Sequence, residues 1–138
     1  MSLCYVASSW SNKVAARELM DQIEAVGDEI LYDWTKNSVA VDGGEPRLTE
    51  IGAREMESVL QADVFILLMP GYFGSHCELG LALSDARYRR SMPGAPLKEI
   101  YIVGDLMDDR GMVQPFYFCS QVTGRLQSTA ELMKILNP

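Results

Sequence analysis

The stretch "DVFILLM", residues 63–69, constrains this 138-residue chain more than any other. Six apolar residues follow one another without polar alternation, as in a parallel strand covered on both faces. Pro70 and Gly71 end the run. Such a strand needs helices above and below it, and the flanking segments have the spacing to supply them. Residues 48–61 predict a helix with Ile51, Met56, Val59 and Leu60 turned inward, and a second helix runs from Ser75 to about Arg89.

The pattern repeats along the chain. "LCYVA" (3–7) reads as a first strand. In the segment after it, Val14, Ala15, Leu19, Ile23 and Val26 recur at helical spacing, and Gly27 suits the stop. "EILYDW" (29–34) reads as a second strand and residues 35–47 as a loop. "EIYIV" (99–103) is the fourth strand, "FYFCS" (116–120) a short fifth, and residues 128–136 a closing helix with Ser128 and Glu131 at capping-box spacing. Strands alternate with helices long enough for parallel crossovers. The expectation is one doubly wound α/β domain over residues 1–138, with a flavodoxin-like parallel sheet of about five strands in the order 2-1-3-4-5. There is no internal repeat and no low-complexity segment.

Composition narrows the function classes. A net charge of −7 argues against nucleic-acid polymers and acidic membranes as partners. No run of 18 apolar residues predicts a membrane span, and no basic-then-apolar opening predicts a secretion signal. Cys4, Cys77 and Cys119 are widely spaced, with no CxxC, and His76 is the only histidine. The sequence therefore predicts no metal site, small buried thiols, and a reducing, cytoplasmic setting.

In this sheet order a ligand binds beyond the carboxyl ends of the first and third strands. The first loop offers Ser8, Ser9, Ser11 and Asn12 around Trp10. Hydroxyls and helix-start N–H groups suit an anion or a sugar, and the indole suits a flat ring; helix capping and local packing explain the same residues. The second loop brings Gly71, Gly74, Ser75 and His76 to a helix start. Ser75 and Glu78 fit a capping box, so Glu78 is either a cap or a working carboxylate at the switch point. Asp33 and Trp34 point to the same mouth or form a solvent-facing turn.

Three segments resemble the nucleoside 2-deoxyribosyltransferase-like family, which includes deoxynucleoside 5'-monophosphate N-glycosidases. They are "CYVASSW", "REMESVLQADVFILLMP" and "GSHCELGLAL", about a quarter of the chain. The resemblance implies that Glu78 is the nucleophile, that Tyr5 orients it, and that Glu55 handles the proton of the departing base, with Trp10 near that base. Glu55 stands where the family usually has aspartate, and Tyr72 where it often has aspartate or serine. The implied function is cleavage or transfer at the N-glycosidic bond of a nucleoside or nucleotide, without a cofactor, in a homodimer or larger assembly. Ser8, Ser9, Trp10, Asp33, Trp34, Gly71, Ser75 and His76 are the expected substrate contacts. A non-catalytic nucleotide-binding or sensing module, or cleavage of NAD, would fit the same residues. An FMN carrier lacks its phosphate cradle in "SSWSN", and a phospho-receiver lacks its acidic residues.

Overall fold

The computed structural model describes residues 1–37 and 43–138. Strands Leu3–Ala7 (β1), Glu29–Ile30 (β2), Val64–Leu68 (β3), Glu99–Val103 (β4) and Gly124–Leu126 (β5) form one parallel sheet in the order β2-β1-β3-β4-β5. The helices are Lys13–Ala25 (α1), Gly44–Gln61 (α2), Phe73–Ser91 (α3) and Thr129–Leu136 (α4). α1 packs beside α4, and α2 beside α3, which covers both faces of the sheet. Every residue of β3 is buried, as its unbroken apolar run requires. Tyr5, Val6, Phe65, Ile66 and Leu67 are fully buried, and the Tyr5 and Phe65 rings stack across the β1–β3 pair. Burying each such side chain contributes about 1.5–3 kcal/mol. The two central strands are thus the surface on which the helices pack.

Several elements differ from the sequence expectation. The second strand stops at Ile30, not Trp34. Asp33 accepts hydrogen bonds from the Thr35 N–H and hydroxyl and turns the chain into a 3-10 turn at Trp34–Lys36. The Trp34 indole N–H then donates to the Val6 carbonyl at 2.7 Å, a bond from a side chain rather than from a continuing strand. α2 starts at Gly44, four residues early, because Pro46 lies in the first turn, where a missing N–H costs nothing. Residues 38–42 of the predicted loop lie outside the described residues. "FYFCS" is not the fifth strand: Pro115–Phe118 form a 3-10 turn, and β5 follows at Gly124–Leu126. Gly124 lies against the Tyr101 ring, where an added Cβ would come within 3.3 Å of it. On α1 the inward face is Ala16, Leu19, Met20 and Ile23, while Val14 is exposed. On α2, Val59 is buried, but Met56 and Leu60 are exposed. The closing helix matches: Ser128 accepts from the Glu131 N–H, and Glu131 accepts from the Gln127 N–H. Among the described residues no helix is long and apolar enough to cross a membrane.

A polar cluster closes the amino end of the sheet. The Lys98 side chain is fully buried; its ammonium donates to the Val59 carbonyl at 2.7 Å and to Asp85 at 2.6 Å. Arg89 meets Asp85 at 2.9 Å and Asp63 at 3.2 Å, and donates to the Leu60 and Ala62 carbonyls. The cluster therefore caps the last turn of α2 and ties it to α3 and to the starts of β3 and β4. Burial pulls the Lys98 ammonium below the ordinary lysine range, and Asp85 opposes the shift. Removing Asp85 would leave that ammonium buried without its counter-ion. Asp85→Ala is expected to cost about 3 kcal/mol in urea unfolding. Lys98→Met, which removes the charge instead of stranding it, should cost clearly less.

Candidate functional site

The start of α3 decides what Glu78 is available to do. The helix begins at Phe73, so Tyr72 is its N-cap residue and Ser75 its third residue. The Ser75 hydroxyl accepts from the Tyr72 N–H at 2.7 Å and donates to the Tyr72 carbonyl at 3.0 Å. The box expected between Ser75 and Glu78 is therefore not formed; Ser75 closes the turn with Tyr72. Glu78 lies one turn further on, with no part in the cap.

Freed from the cap, Glu78 faces inward to a cleft between α2 and α3. Gly52, Glu55 and Met56 from α2 and Gly74, Cys77, Glu78 and Leu81 from α3 line it, and its volume is about 270 Å³. Each set falls on one helical face, at intervals of three and four residues. No Cβ added at Gly52 or Gly74 would meet another atom within 4 Å, so both glycines leave the cleft wall open. Met56 is exposed because its place is this wall rather than the core. Cys77 is exposed and Cys119 half-buried, against the expectation of buried thiols, which Cys4 alone meets.

Tyr5, on β1, faces Glu78 from beneath. Its ring is fully buried, and neither its hydroxyl nor Glu78 Oε2 completes a hydrogen bond with another group of the described protein. The two are close enough to alter each other's titration. Burial pushes the Glu78 carboxyl up to about 8; the Tyr5 hydroxyl opposes that, and the Glu55 carboxylate adds to it. Burial raises the Tyr5 hydroxyl too, with Glu78 and Glu55 contributing. Burial also raises Glu55. Two carboxyl groups and a phenol thus adjoin, and of their polar atoms the Tyr5 hydroxyl and Glu78 Oε2 are buried without a partner in the described protein. Such an arrangement costs folding energy and suits an arriving partner.

Other predicted contacts are engaged within the protein. The Ser8 hydroxyl donates to the Leu68 carbonyl at 2.7 Å and accepts from the Asn12 amide at 2.9 Å. Ser9 is buried, its hydroxyl 3.1 Å from that of Ser11. His76 Nδ1 donates to the Tyr72 carbonyl at 2.8 Å, which leaves Nε2 for the Tyr117 hydroxyl at 2.6 Å. Asp33 caps its own turn and pairs with Lys36 at 3.8 Å. An added Cβ at Gly71 would lie 2.8 Å from both the His76 ring and the Ser75 hydroxyl, so this glycine serves the packing of its own loop. Trp10 and Trp34 adjoin at 6.3 Å, but neither is among the residues that line the cleft. Trp34 is buried and bonded, whereas Trp10 is 45% exposed with the Lys13 ammonium over its ring.

The sequence reading singled out neither Tyr32, Gly52 nor Leu81, and it assigned Met56 and Cys77 to the core and not to the cleft. Tyr32 is buried near Tyr5, bonded to Asn37 at 3.1 Å, with the Arg54 guanidinium over its ring. The available signal was periodicity: Gly52 and Met56 flank Glu55 on one face of α2, and Cys77 and Leu81 flank Glu78 on α3. Among the described residues, no group of three or more His, Cys, Asp or Glu side chains could hold a metal ion.

The stability of the chain should carry the mark of Glu78. Its folded value of about 8 lies above that of an unfolded glutamate, so the folded state holds the proton more tightly. That contribution is complete below the unfolded value and is lost as pH rises through about 8. Glu78→Gln, which cannot ionise, should therefore gain stability relative to wild type between pH 5 and about 8, as read by urea unfolding across that range.

Comparison with known proteins is informative at the level of fold. No protein-family profile matches the chain, and no curated protein matches it in sequence. Among solved structures, it is similar to the CMP N-glycosidase BcmB of Clostridium botulinum, at 16% identity and a TM-score of 0.57, over 97% of each chain. The five-stranded α/β architecture is thus shared nearly end to end with a protein whose name states cleavage of an N-glycosidic bond.

Proposed function

We propose that this chain cleaves the N-glycosidic bond of a nucleoside or nucleotide, with Glu78 as nucleophile. The observation that carries the reading is the pairing of Glu78 with the buried Tyr5 hydroxyl, both lacking a full set of protein partners, beside Glu55 on the facing helix. The fold shared with a CMP N-glycosidase supports it. In the proposed step a Glu78 oxygen bonds to the anomeric carbon as the carbon–nitrogen bond breaks and its electron pair leaves with the base. The Tyr5 hydroxyl orients the carboxylate, and the protonated Glu55 carboxyl gives its proton to the departing nitrogen. Water then releases the sugar; a second base in place of water would make the reaction a transfer. Trp10, which is 45% exposed, is the residue proposed to stack on the base. The chemistry as written requires no cofactor. The chain would act as a homodimer or larger in the cytoplasm, a neighbouring copy standing at the rim of the cleft, where Tyr72 and Phe73 expose their rings.

One observation favours a second reading. A carboxyl titrating near 8 is largely protonated at neutral pH and would donate a hydrogen bond to a bound sugar without reacting. A binding or sensing module would use it so. Glu78→Gln separates the two. It should keep the fold and bind nucleosides or nucleotides while turnover falls by several orders of magnitude. Release of free base from a panel of nucleosides and 5'-monophosphates, with and without an acceptor base, is the measurement. Activity within about tenfold of wild type in the folded variant would overturn the mechanism.

The assembly is tested by light scattering. A dimeric or larger mass is expected at micromolar concentration, and Phe73→Asp should shift it toward monomer. A wild-type monomer would refute the proposed assembly.

A further inference from the structure

Gly52 in α2, and Gly74 and Gly80 in α3, are glycines that the backbone does not require. None has the positive φ that favours glycine, and at none of them would a Cβ meet a neighbouring atom within 4 Å. A glycine within a helix lowers its stability relative to alanine, so each is a cost to the fold. Gly80 lines no part of the cleft, whereas Gly52 and Gly74 line it from opposite helices, on the same faces as Glu55 and Glu78. The cleft, of about 270 Å³, is smaller than the ~300–1,000 Å³ typical of small-molecule sites, so it holds one part of a nucleoside. Neither tryptophan lines it.

We propose that Gly52 and Gly74 are specificity-determining residues: each leaves open the space of a missing side chain, and a five-membered sugar ring fills that space beside Glu78. The inference rests on the proposed function for the identity of the ring. A Glu78 oxygen that must reach the anomeric carbon puts the sugar in the cleft and the base outside it. Glycine presents no side chain, so the C–H face of the ring can approach either helix closely. A longer side chain at either position would meet the ring and not the protein. The stability lost at these two positions is thereby exchanged for room.

Anhydroribitol, a ribose ring with hydrogen in place of the base, is the probe; it has no glycosidic bond and needs no turnover. Its binding to the full chain is followed through the amide NMR signals of Cys77 and Glu78, and stability through urea unfolding. Wild type should bind it. Gly52→Leu and Gly74→Leu should each weaken binding by at least about tenfold, the scale of a few misplaced methylenes in a pocket. Their urea midpoints should be no lower than that of wild type. Gly52→Ala should raise the midpoint and still weaken binding; where a leucine variant fails to fold, alanine at the same position decides. Gly80→Ala should raise the midpoint and bind as wild type does. No movement of the two signals in wild type, unchanged affinity in the leucine variants, or an equal loss in Gly80→Ala would overturn the inference. A chain that binds the ring with this dependence on glycine and never releases a base would defeat the proposed reaction alone. Base release retained in full by both leucine variants would defeat this inference alone.

Discussion

The hydrogen bond from the Tyr72 N–H to the Ser75 hydroxyl, 2.7 Å long, sets the phase of α3. With Ser75 inside the first turn, every later residue of the helix is placed by that start. Leu79, Ala82, Leu83 and Ala86 go into the core, and Gly74, Cys77, Glu78 and Leu81 go to the cleft. Had the helix begun at Ser75 itself, Glu78 would have been bonded back to the backbone at the helix end. Instead it points toward Tyr5 at low hydration. The His76 ring, held between the Tyr72 carbonyl and Tyr117, braces the same turn from the side of β4.

The polar groups of the molecule divide between the two ends of the sheet. At the amino end, Lys98, Arg89, Asp85 and Asp63 pair with one another and with the carbonyls that end α2. At the carboxyl end, Glu78, Glu55 and Tyr5 are drawn together without a cation among the residues that line the cleft. Burial raises both carboxyl groups there, and the nearby Glu55 carboxylate adds to the shift of Glu78. The first arrangement holds the fold together; the second is tolerated because the rest of the core is well packed.

The order of the sheet was legible in the sequence because β3 declares itself. Its apolar run admits few alternatives to a central parallel strand, and the alternation around it leaves one familiar winding. β5 was not legible: "GRL" carries no strand signal and is a strand by its register against Tyr101, Ile102 and Val103. The aromatic "FYFCS" carried a strong signal but follows Pro115 into a turn that buries Tyr117. At the site, Tyr5, Glu55 and Glu78 could be singled out because a resemblance marked them. Ser8, His76 and Trp34 were equally prominent by position, yet their polar atoms are spent on internal bonds that no residue pattern displays. Gly52 was not singled out and Cys77 was expected to be buried, because a glycine or cysteine on a helix gains meaning only from what faces it.

The early end of β2 has a consequence for how copies of this chain can meet. An outer strand of two residues, cut short by the Asp33 turn and by the Trp34 indole on the Val6 carbonyl, offers another polypeptide almost no ladder to extend. The opposite border, β5, is three residues long. Both margins of the sheet are thereby blunted against strand-on-strand aggregation. Any association must then run through helices and loops, which orient a neighbouring molecule by side chains rather than by an open main chain.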